Sequence, residues 1–537
     1  MRARIAKYSP YIILGLSILL LVCLNILCHD HWLDSDMAAE MIFSRQLAES
    51  GHFFATADWY YSTEFRFLYT HWIMGPLFRI CANWHVIRAV TNLLSYALVL
   101  GAYYYCMKPL KVRRGLVIMS SALLLLPFSE TMMTHMAMGN TYLFHVAIAY
   151  CFFGLYLRLT GVVKGNRIVR IIFYMALALV CGVSGVRYLL ALQCPLVLAG
   201  LFYLLRSAEF DLFRQNLTAE NGAARMRELA RCPAMKYFGY ALLGLAGSAA
   251  GYAVNVLYVS REYVFQTYDS TNFIAVYQGV FFERLQNALG SLLMLFGYIP
   301  ERSVLSLRGM VTLAAFGILG ILAYCAVRAG RESRGQRLFV SLFLASALCL
   351  NLFVFVFTTS TMVPRYYITI FIFVLPMLCF YYEKEERYWD RLAVSVLLGA
   401  CMLLAVGKTV LSYVSTDKNE DRRRVAAFLE EGGYSFGYAS YWNANIITEL
   451  TDGAVEIANV GDAENLEYFK WSSPMKYYEE GYPKGEVFLL LTAEEIADAA
   501  DAESVAAGRV VYEDDAYTVL VYGSARTLME TAAGADK

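Results

Sequence analysis

The sequence contains few charged residues and no paired cysteine motif. Charged residues make up 17% of the 537 residues, against about 25% in typical soluble domains. No two of the 12 cysteines form a CxxC pair, and none follows Cys401. The cysteines therefore do not indicate a disulfide framework and are typical of small residues in a protein interior.

The short motifs of several enzyme classes are also missing. The sequence contains no Walker loop and no GxGxxG after a strand, which argues against soluble nucleotide-dependent enzymes. A chain rich in apolar segments could also be a transporter or a flippase of lipid-linked glycans. Such a protein would favour two-fold internal similarity and charges at mid-membrane, and we find neither pattern in the sequence. We expect no nucleic-acid partner.

Apolar residues are abundant, at 58% of the chain with a mean hydropathy of +0.47. Apolar stretches near 20 residues long are candidates for membrane-spanning helices. About 11 such stretches occur, at residues 10–28, 86–107, 115–128, 140–158, 171–188, 189–206, 237–259, 307–327, 338–358, 366–382 and 392–414. The sequence therefore predicts a polytopic α-helical membrane protein, with residues 1–414 as its transmembrane catalytic domain.

Basic residues are concentrated in alternate connections between these stretches, as in the segments 108–114 and 328–337. Such connections face the cytoplasm by the positive-inside rule. We therefore expect a multi-pass protein of the plasma (inner) membrane. Its N-terminus would be cytoplasmic, its outer loop would cover residues 29–85, and the part after Ser415 would be extracytoplasmic.

The pattern changes after Ser415. From Asp417 onward there are 24 acidic and 10 basic residues. Short alternating segments predict strands at 437–442, 455–460, 486–491, 509–512 and 517–522, and helices at 421–431, 445–450 and 493–500. Strands that alternate with helices indicate a small extracytoplasmic α/β domain at residues 415–537.

Two carboxylates, Asp34 and Asp36, directly follow the first apolar stretch. Acids often mark only the water-facing end of a helix, but charges at this depth are costly unless they are used. Helical spacing of apolar residues predicts an amphipathic helix from Ser35 to Ser50 along the membrane surface, ended by Gly51. A carboxylate shielded by the bilayer edge has a raised pKa, which suits a general base. Asp34 and Asp36 are therefore the candidate catalytic residues.

Three arginines are candidate ligands of a phosphate group. Arg66 lies in the outer loop and could either pair with Glu64 or bind phosphate through charge-assisted hydrogen bonds. Arg365 follows Pro364 at a predicted helix start, where it could also simply reach the interface. Arg187 lies between two apolar stretches and is either an interfacial residue or an anion contact.

Two smaller sets of residues complete the candidates. Glu64 and His135 could hold a divalent cation, although no metal-binding spacing supports the pair. Tyr441, Trp442 and Asn443 follow a predicted strand, where ligands of α/β sheets bind. They would either contact a sugar of the acceptor or pack the C-terminal part onto the membrane region.

An acidic pair after an uncleaved first helix, a long outer loop, about 11 spans and an outward C-terminal part together resemble the GT-C superfamily of integral membrane glycosyltransferases. Members include protein O-mannosyltransferases and the aminoarabinose transferase of lipid A. The segment Thr63-Glu64-Phe65-Arg66 is similar to an acidic–basic motif of the latter, and Arg365-Tyr366 is similar to a late motif. The resemblance implies that an acid of the first outer loop, here Asp34 or Asp36, is essential.

The residues and the resemblance together predict transfer of a sugar from a polyprenyl-phosphate donor in the membrane lipid to a cell-envelope glycan, lipid or protein, with inversion at the anomeric carbon. Asp34 or Asp36 would orient or deprotonate the acceptor hydroxyl. Arg66, Arg187 and Arg365 would stabilise the leaving phosphate.

Overall fold

The computed structural model describes residues 2–139, 142–161, 165–215, 222–266, 271–277, 279–384 and 387–533. Helices dominate the described chain up to Val414, where two short strands also occur, β1 (Trp59–Tyr61) and β2 (Val264–Phe265). The helices are α1 (Arg2–Leu27), α2 (Ser35–Ser50), α3 (His71–Phe78), α4 (Trp84–Met107), α5 (Arg114–Leu125), α6 (Glu130–Met132), α7 (Leu143–Thr160), α8 (Arg167–Val183), α9 (Cys194–Leu205), α10 (Ala208–Gln215), α11 (Gly222–Arg231), α12 (Pro233–Val254), α13 (Ser260–Glu262), α14 (Val280–Leu295), α15 (Leu307–Glu332), α16 (Gly335–Phe357), α17 (Ile368–Phe371), α18 (Val374–Lys384) and α19 (Tyr388–Val414).

The chain is a multi-pass membrane protein. Within the described residues, eight helices are long and apolar enough to cross a membrane, or ten if each of two bent helix pairs is one span. The predicted span at 171–188 corresponds to α8, whose 17 residues give a length of about 25 Å. Together these segments account for the polytopic architecture that the sequence predicts.

The predicted span at 115–128 is not one straight helix. Helix α5 ends at Leu125, and the next helical segment, Glu130–Met138, is inclined to it by 92°. Leu126 precedes Pro127 and is extended, with φ −100° and ψ 125°, as the ring of a following proline requires. The Ser129 side chain then accepts a hydrogen bond from the Met132 amide and caps the new segment. The bend is therefore determined by the local sequence.

Helix α2 has the predicted bounds. The Asp34 side chain caps its first turn by accepting from the Met37 amide, and Gly51 ends it in the left-handed region with φ 73°. The expectation that its apolar face lies on the membrane surface is wrong. Met37, Met41 and Leu47 are buried because the helix packs between α3 and a helix of the C-terminal region.

The C-terminal region forms a five-stranded sheet of order β4-β3-β6-β8-β7, with β3, β4 and β6 parallel and β8 antiparallel to β6 and β7. Its strands are β3 (Phe436–Ser440), β4 (Glu456–Val460), β5 (Ser473–Pro474, outside this sheet), β6 (Val487–Thr492), β7 (Arg509–Glu513) and β8 (Tyr517–Tyr522). Its helices are α20 (Glu420–Glu431), α21 (Tyr441–Leu450), α22 (Ala493–Asp498), α23 (Glu503–Ala506) and α24 (Ala525–Ala533). The strand predicted at 437–442 ends at Ser440, so Tyr441 begins α21 instead.

A shared sheet and a buried ion pair are among the contacts that join this region to the membrane part. Strand β1 pairs with β2 on one side and with β5 on the other, so segments from three distant parts of the chain form one small sheet. Arg88 of α4 and Glu449 of α21 form a buried ion pair, with 2.6 Å between Nη2 and Oε2. The same guanidinium donates to the Met37 carbonyl at 2.9 Å. Helix α2 is thereby held between the two regions.

Candidate active site

The two predicted catalytic carboxylates have different surroundings. Asp34 lies at the N-cap of α2, and its Oδ1 accepts from the Met37 amide at 3.0 Å. Among the described residues it makes no ion pair. Burial and the neighbouring charge of Asp36 raise the pKa of Asp34 to about 6. This carboxylate can therefore change its protonation state near neutral pH.

Asp36 is held from two sides. Its Oδ2 lies 3.3 Å from Nη1 of Arg365, and its Oδ1 accepts from the Tyr441 hydroxyl at 2.7 Å. The adjacent Ser35 hydroxyl donates to the Tyr441 carbonyl and accepts from the Asn445 amide at 3.0 Å. The start of α21 thus fixes the first turn of α2, and the predicted phosphate ligand Arg365 is brought to the acidic pair.

Glu40, one turn after Asp36, was not among the predicted site residues. It is buried, and its carboxylate accepts from Nη1 of Arg66 at 2.8 Å and from the Thr70 hydroxyl at 3.1 Å. Burial raises the pKa of Glu40 to about 7, although the charge of Arg66 opposes the rise. The spacing of Asp36 and Glu40 by four residues, on one face of a helix, was the signal in the sequence that could have found it.

Glu64 pairs mainly with Arg187. Its Oε1 lies 2.7 Å from Nε of Arg187, whereas its Oε2 is 4.0 Å from Nε of Arg66. Burial alone would raise the pKa of Glu64, but the Arg187 guanidinium outweighs it and holds the pKa below its ordinary value. Arg187 also donates to the Tyr142 hydroxyl at 2.8 Å. The predicted phosphate ligands Arg66 and Arg187 therefore share one carboxylate.

The predicted metal pair is not supported by these surroundings. Glu64 lies between two guanidinium groups, so its charge is balanced by arginine. His135 lies in the bend after α5, where its Nδ1 is buried and lacks a hydrogen-bond partner. In the part of the chain that the structure describes, one group of three ligand-type side chains lies close together, and it contains neither residue.

A cleft adjoins these charged groups. It has a volume of about 60 Å³, and its polar walls include Asp36, Glu40, Glu64, Arg66, Thr70 and Ser472. Aromatic side chains such as Phe54 and Trp59 complete the lining. A polar cleft with aromatic walls suits a ligand that offers both hydroxyl groups and apolar ring faces.

A second cavity lies between the helices and is lined by apolar side chains. Its volume is about 20 Å³, and its walls include Leu124, Phe296, Leu322 and Leu397. Phe128, in the bend that leads to His135, also lines it. A space of this size holds little more than one water molecule, so it does not hold a hydrocarbon chain.

The three predicted acceptor residues have separate environments. Tyr441 is buried and bonds Asp36, as described above. Trp442 is 62% exposed. Asn443 is buried within the C-terminal region, where its carbonyl oxygen accepts from Nε of Arg422 and from the Tyr517 hydroxyl, both at 2.9 Å. Tyr441 thus packs this region onto the membrane part, Asn443 stabilises the region internally, and Trp442 is accessible.

Comparison with known proteins identifies the fold. No protein-family description and no curated protein matches the sequence. Two solved structures of ArnT, an aminoarabinose transferase from Cupriavidus metallidurans, match nearly the whole chain. The apo form has a TM-score of 0.56 at 12% identity over 98% of this chain and 99% of that one. The form bound to undecaprenyl phosphate has a TM-score of 0.55 at 13% identity over 95% and 97% of the two chains. The protein therefore has the fold of these ArnT structures, as the resemblance noted in the sequence implies.

Proposed function

We propose that this protein is a membrane glycosyltransferase that moves a sugar from a polyprenyl-phosphate donor to a cell-envelope glycan, lipid or protein. The observation that carries the proposal is a charged network around one polar cleft. Asp36, Glu64 and Arg66 line the cleft, Arg365 and Arg187 are paired with the two acids, and Asp34 neighbours Asp36. A lipid-linked donor cannot leave the bilayer, so its sugar must be transferred at the membrane surface. The existence of a similar structure with bound undecaprenyl phosphate supports a donor of this class.

The acids have separate roles in this mechanism. Asp34 has no cationic partner among the described residues and a pKa of about 6, so it accepts the proton of the acceptor hydroxyl. Asp36 is bound by Arg365 and Tyr441, so it positions these groups and the turn that bears Asp34. A single displacement at the anomeric carbon then gives inversion.

The arginines stabilise the leaving phosphate. As the bond to the sugar breaks, negative charge grows on the phosphate oxygens, and guanidinium groups fixed beforehand stabilise that charge most. Arg66, Arg187 and Arg365 are each fixed by a carboxylate, namely Glu40, Glu64 and Asp36 respectively. These carboxylates hold the guanidinium groups in place until the donor binds.

The two regions of the chain have different roles in this mechanism. We further propose that residues 1–414 form the catalytic domain, and that residues 415–537 form an extracytoplasmic domain whose Trp442 contacts the acceptor. The N-terminus would lie in the cytoplasm and the protein in the plasma membrane.

The test is a transfer assay with the full chain in lipid nanodiscs. Radiolabelled polyprenyl-phosphate sugars are supplied singly together with membrane-extracted envelope acceptors, and release of polyprenyl phosphate and labelling of the acceptor are measured. We expect one donor to give both signals and Asp34→Asn to abolish them. Movement of intact donor across a vesicle bilayer, without release of the carrier by any donor, would instead support a flippase and overturn the proposal.

A further inference from the structure

A cluster of histidine and aspartate side chains lies outside the site described above. His29 and Asp30 follow α1, and His85 belongs to the first turn of α4. One ligand atom from each of the three residues lies within 4.8 Å of the other two. The two imidazole rings are perpendicular, with centroids 3.9 Å apart, and Nε2 of His29 lies 2.5 Å from Oδ1 of Asp30.

Three features of this cluster suit a metal ion. His29 is 4% exposed, and its Nδ1 has no hydrogen-bond partner, so a buried polar atom lacks the partner that folded proteins normally provide. His85 is hydrogen-bonded to the backbone of Ile26, as the second ring nitrogen of a metal-binding histidine commonly is. The Asp30 carboxylate lies against the His29 ring, so an oxygen ligand is available beside the two imidazoles.

We propose that His29, Asp30 and His85 bind a zinc ion that fastens the end of α1 to the start of α4. Two imidazole nitrogens and one carboxylate oxygen are a ligand set that zinc prefers. With bonds of about 2.0–2.2 Å, ligand atoms around a tetrahedral zinc ion lie about 3.4 Å apart. The cluster reaches that spacing by small movements of side chains that already touch.

The C-terminal region contributes a fourth acidic group nearby. Oδ1 of Asp452 accepts from the Trp84 amide at 3.0 Å, one residue before His85, and its charge acts on both histidines. Asp452 lies outside the close group of three and would complete the zinc shell through a water molecule. The ion would then join α1, α4 and the C-terminal region at one point, a few residues before Asp34, and so hold the loop that carries the acidic pair.

The test counts metal and needs no transfer assay, so its outcome is independent of the proposed function. The purified full chain is exposed to zinc, freed of loosely bound ions on a chelating resin and analysed for metal and protein. We expect about one zinc ion per chain, as for a structural site of protein ligands. Substitution of cobalt for zinc should give visible ligand-field absorption that is lost on adding a chelator.

Variants locate the ion. His85→Gln and Asp30→Asn should each lower the zinc affinity by more than the roughly 10–100-fold that loss of an outer-shell partner causes. Asp30→Asn keeps the shape of the side chain and remains informative if His85→Gln fails to fold. The matched control is His52→Gln, since His52 is an exposed histidine of the same outer loop. Wild-type protein without zinc, or equal zinc in wild type and Asp30→Asn, would overturn the proposal.

Discussion

The hydroxyl of Tyr441 donates a hydrogen bond of 2.7 Å to the carboxylate of Asp36 across a sequence separation of 405 residues. Asp36 lies in the first turn of α2, and Tyr441 is the first residue of α21. The contact makes the C-terminal region a wall of the candidate active site rather than an appended binding module. The predictions below separate the roles of these groups.

Replacement of either Asp34 or Asp36 should strongly lower the rate of sugar transfer, for a different reason in each case. Asp34→Asn removes the proton acceptor and should lower kcat by at least about 100-fold, the lower end of what acid–base groups contribute. Asp36→Asn should also lower kcat, because Arg365 and Tyr441 lose their common partner. Rates come from the release of polyprenyl phosphate. The control is Asp498→Asn, an exposed acid of α22, and full activity in both site variants would refute the assignment.

The pH dependence of kcat/KM should follow the protonation of Asp34. Its pKa of about 6 means that the carboxylate is ionised and able to accept a proton above pH 6, and protonated below it. We therefore expect kcat/KM to be constant above about pH 7 and to fall tenfold per pH unit well below pH 6. Asp36→Asn removes a neighbouring negative charge and should shift the midpoint to lower pH. A profile that stays flat down to pH 5 would contradict the role of Asp34.

The exposed and buried residues after β3 should respond differently to alanine. Trp442 is exposed, so Trp442→Ala should raise the acceptor KM with little change in thermal stability. Asn443→Ala removes the acceptor of the Arg422 Nε and of the Tyr517 hydroxyl and should cost about 1–3 kcal/mol of stability. Steady-state kinetics and thermal unfolding of both variants distinguish the two effects. An unchanged acceptor KM in Trp442→Ala would remove Trp442 from the acceptor site.

The buried pair Arg88–Glu449 should be critical for the docking of the C-terminal region. Removal of one partner leaves a buried charge unpaired, which typically costs about 3–5 kcal/mol. Glu449→Gln should therefore make the C-terminal region sensitive to protease. The comparison variant is Glu530→Gln, because the Arg526–Glu530 pair is exposed and such pairs contribute about 0–1 kcal/mol. Equal protease resistance in the two variants would mean that the pair does not hold the interface.

Cysteine labelling in intact cells tests the orientation. In a cysteine-free background, Glu420→Cys should react with an impermeant thiol reagent, because the distribution of basic residues puts the C-terminal region outside. Arg334→Cys, in the connection between α15 and α16, should react only after the membrane is opened. Both positions are exposed in the structure, so accessibility alone would not account for a difference. The reverse labelling pattern would mean that the orientation is inverted.

Features encoded within a few residues were predictable from the sequence. The capping groups Asp34 and Gly51 define both ends of α2, and the alternation of apolar residues predicts the strands after Ser415 to within one or two residues. The membrane spans follow from length and hydropathy. The break at Pro127 also depends only on neighbouring residues. It was not predicted because the run of apolar residues continues through it.

Partners of charged side chains were not predictable in the same way. The sequence left open whether Arg66 pairs with Glu64 or binds phosphate, and it did not indicate Glu40, the close partner, at 2.8 Å against 4.0 Å for Glu64. Glu64 is closer to Arg66 in the sequence, but the fold places Glu40 of α2 closer to its guanidinium. Distance along the chain therefore does not identify the partner. The contacts of Asp36 with Arg365 and Tyr441 depend on packing between distant segments, which no local pattern encodes.

The small sheet of β1, β2 and β5 constrains the biosynthesis of the protein. Its strands come from the first outer loop, from the connection after α13 and from a segment near Ser473, so the last strand emerges from the ribosome long after the first. Non-local pairings of this kind form late in folding. Every nascent chain therefore passes through a stage in which α1 to α19 have been made while Asp36 still lacks Tyr441 and β1 lacks one neighbour. The candidate site is therefore incomplete while the membrane helices are being made, and it is assembled only after the C-terminal region has been synthesised.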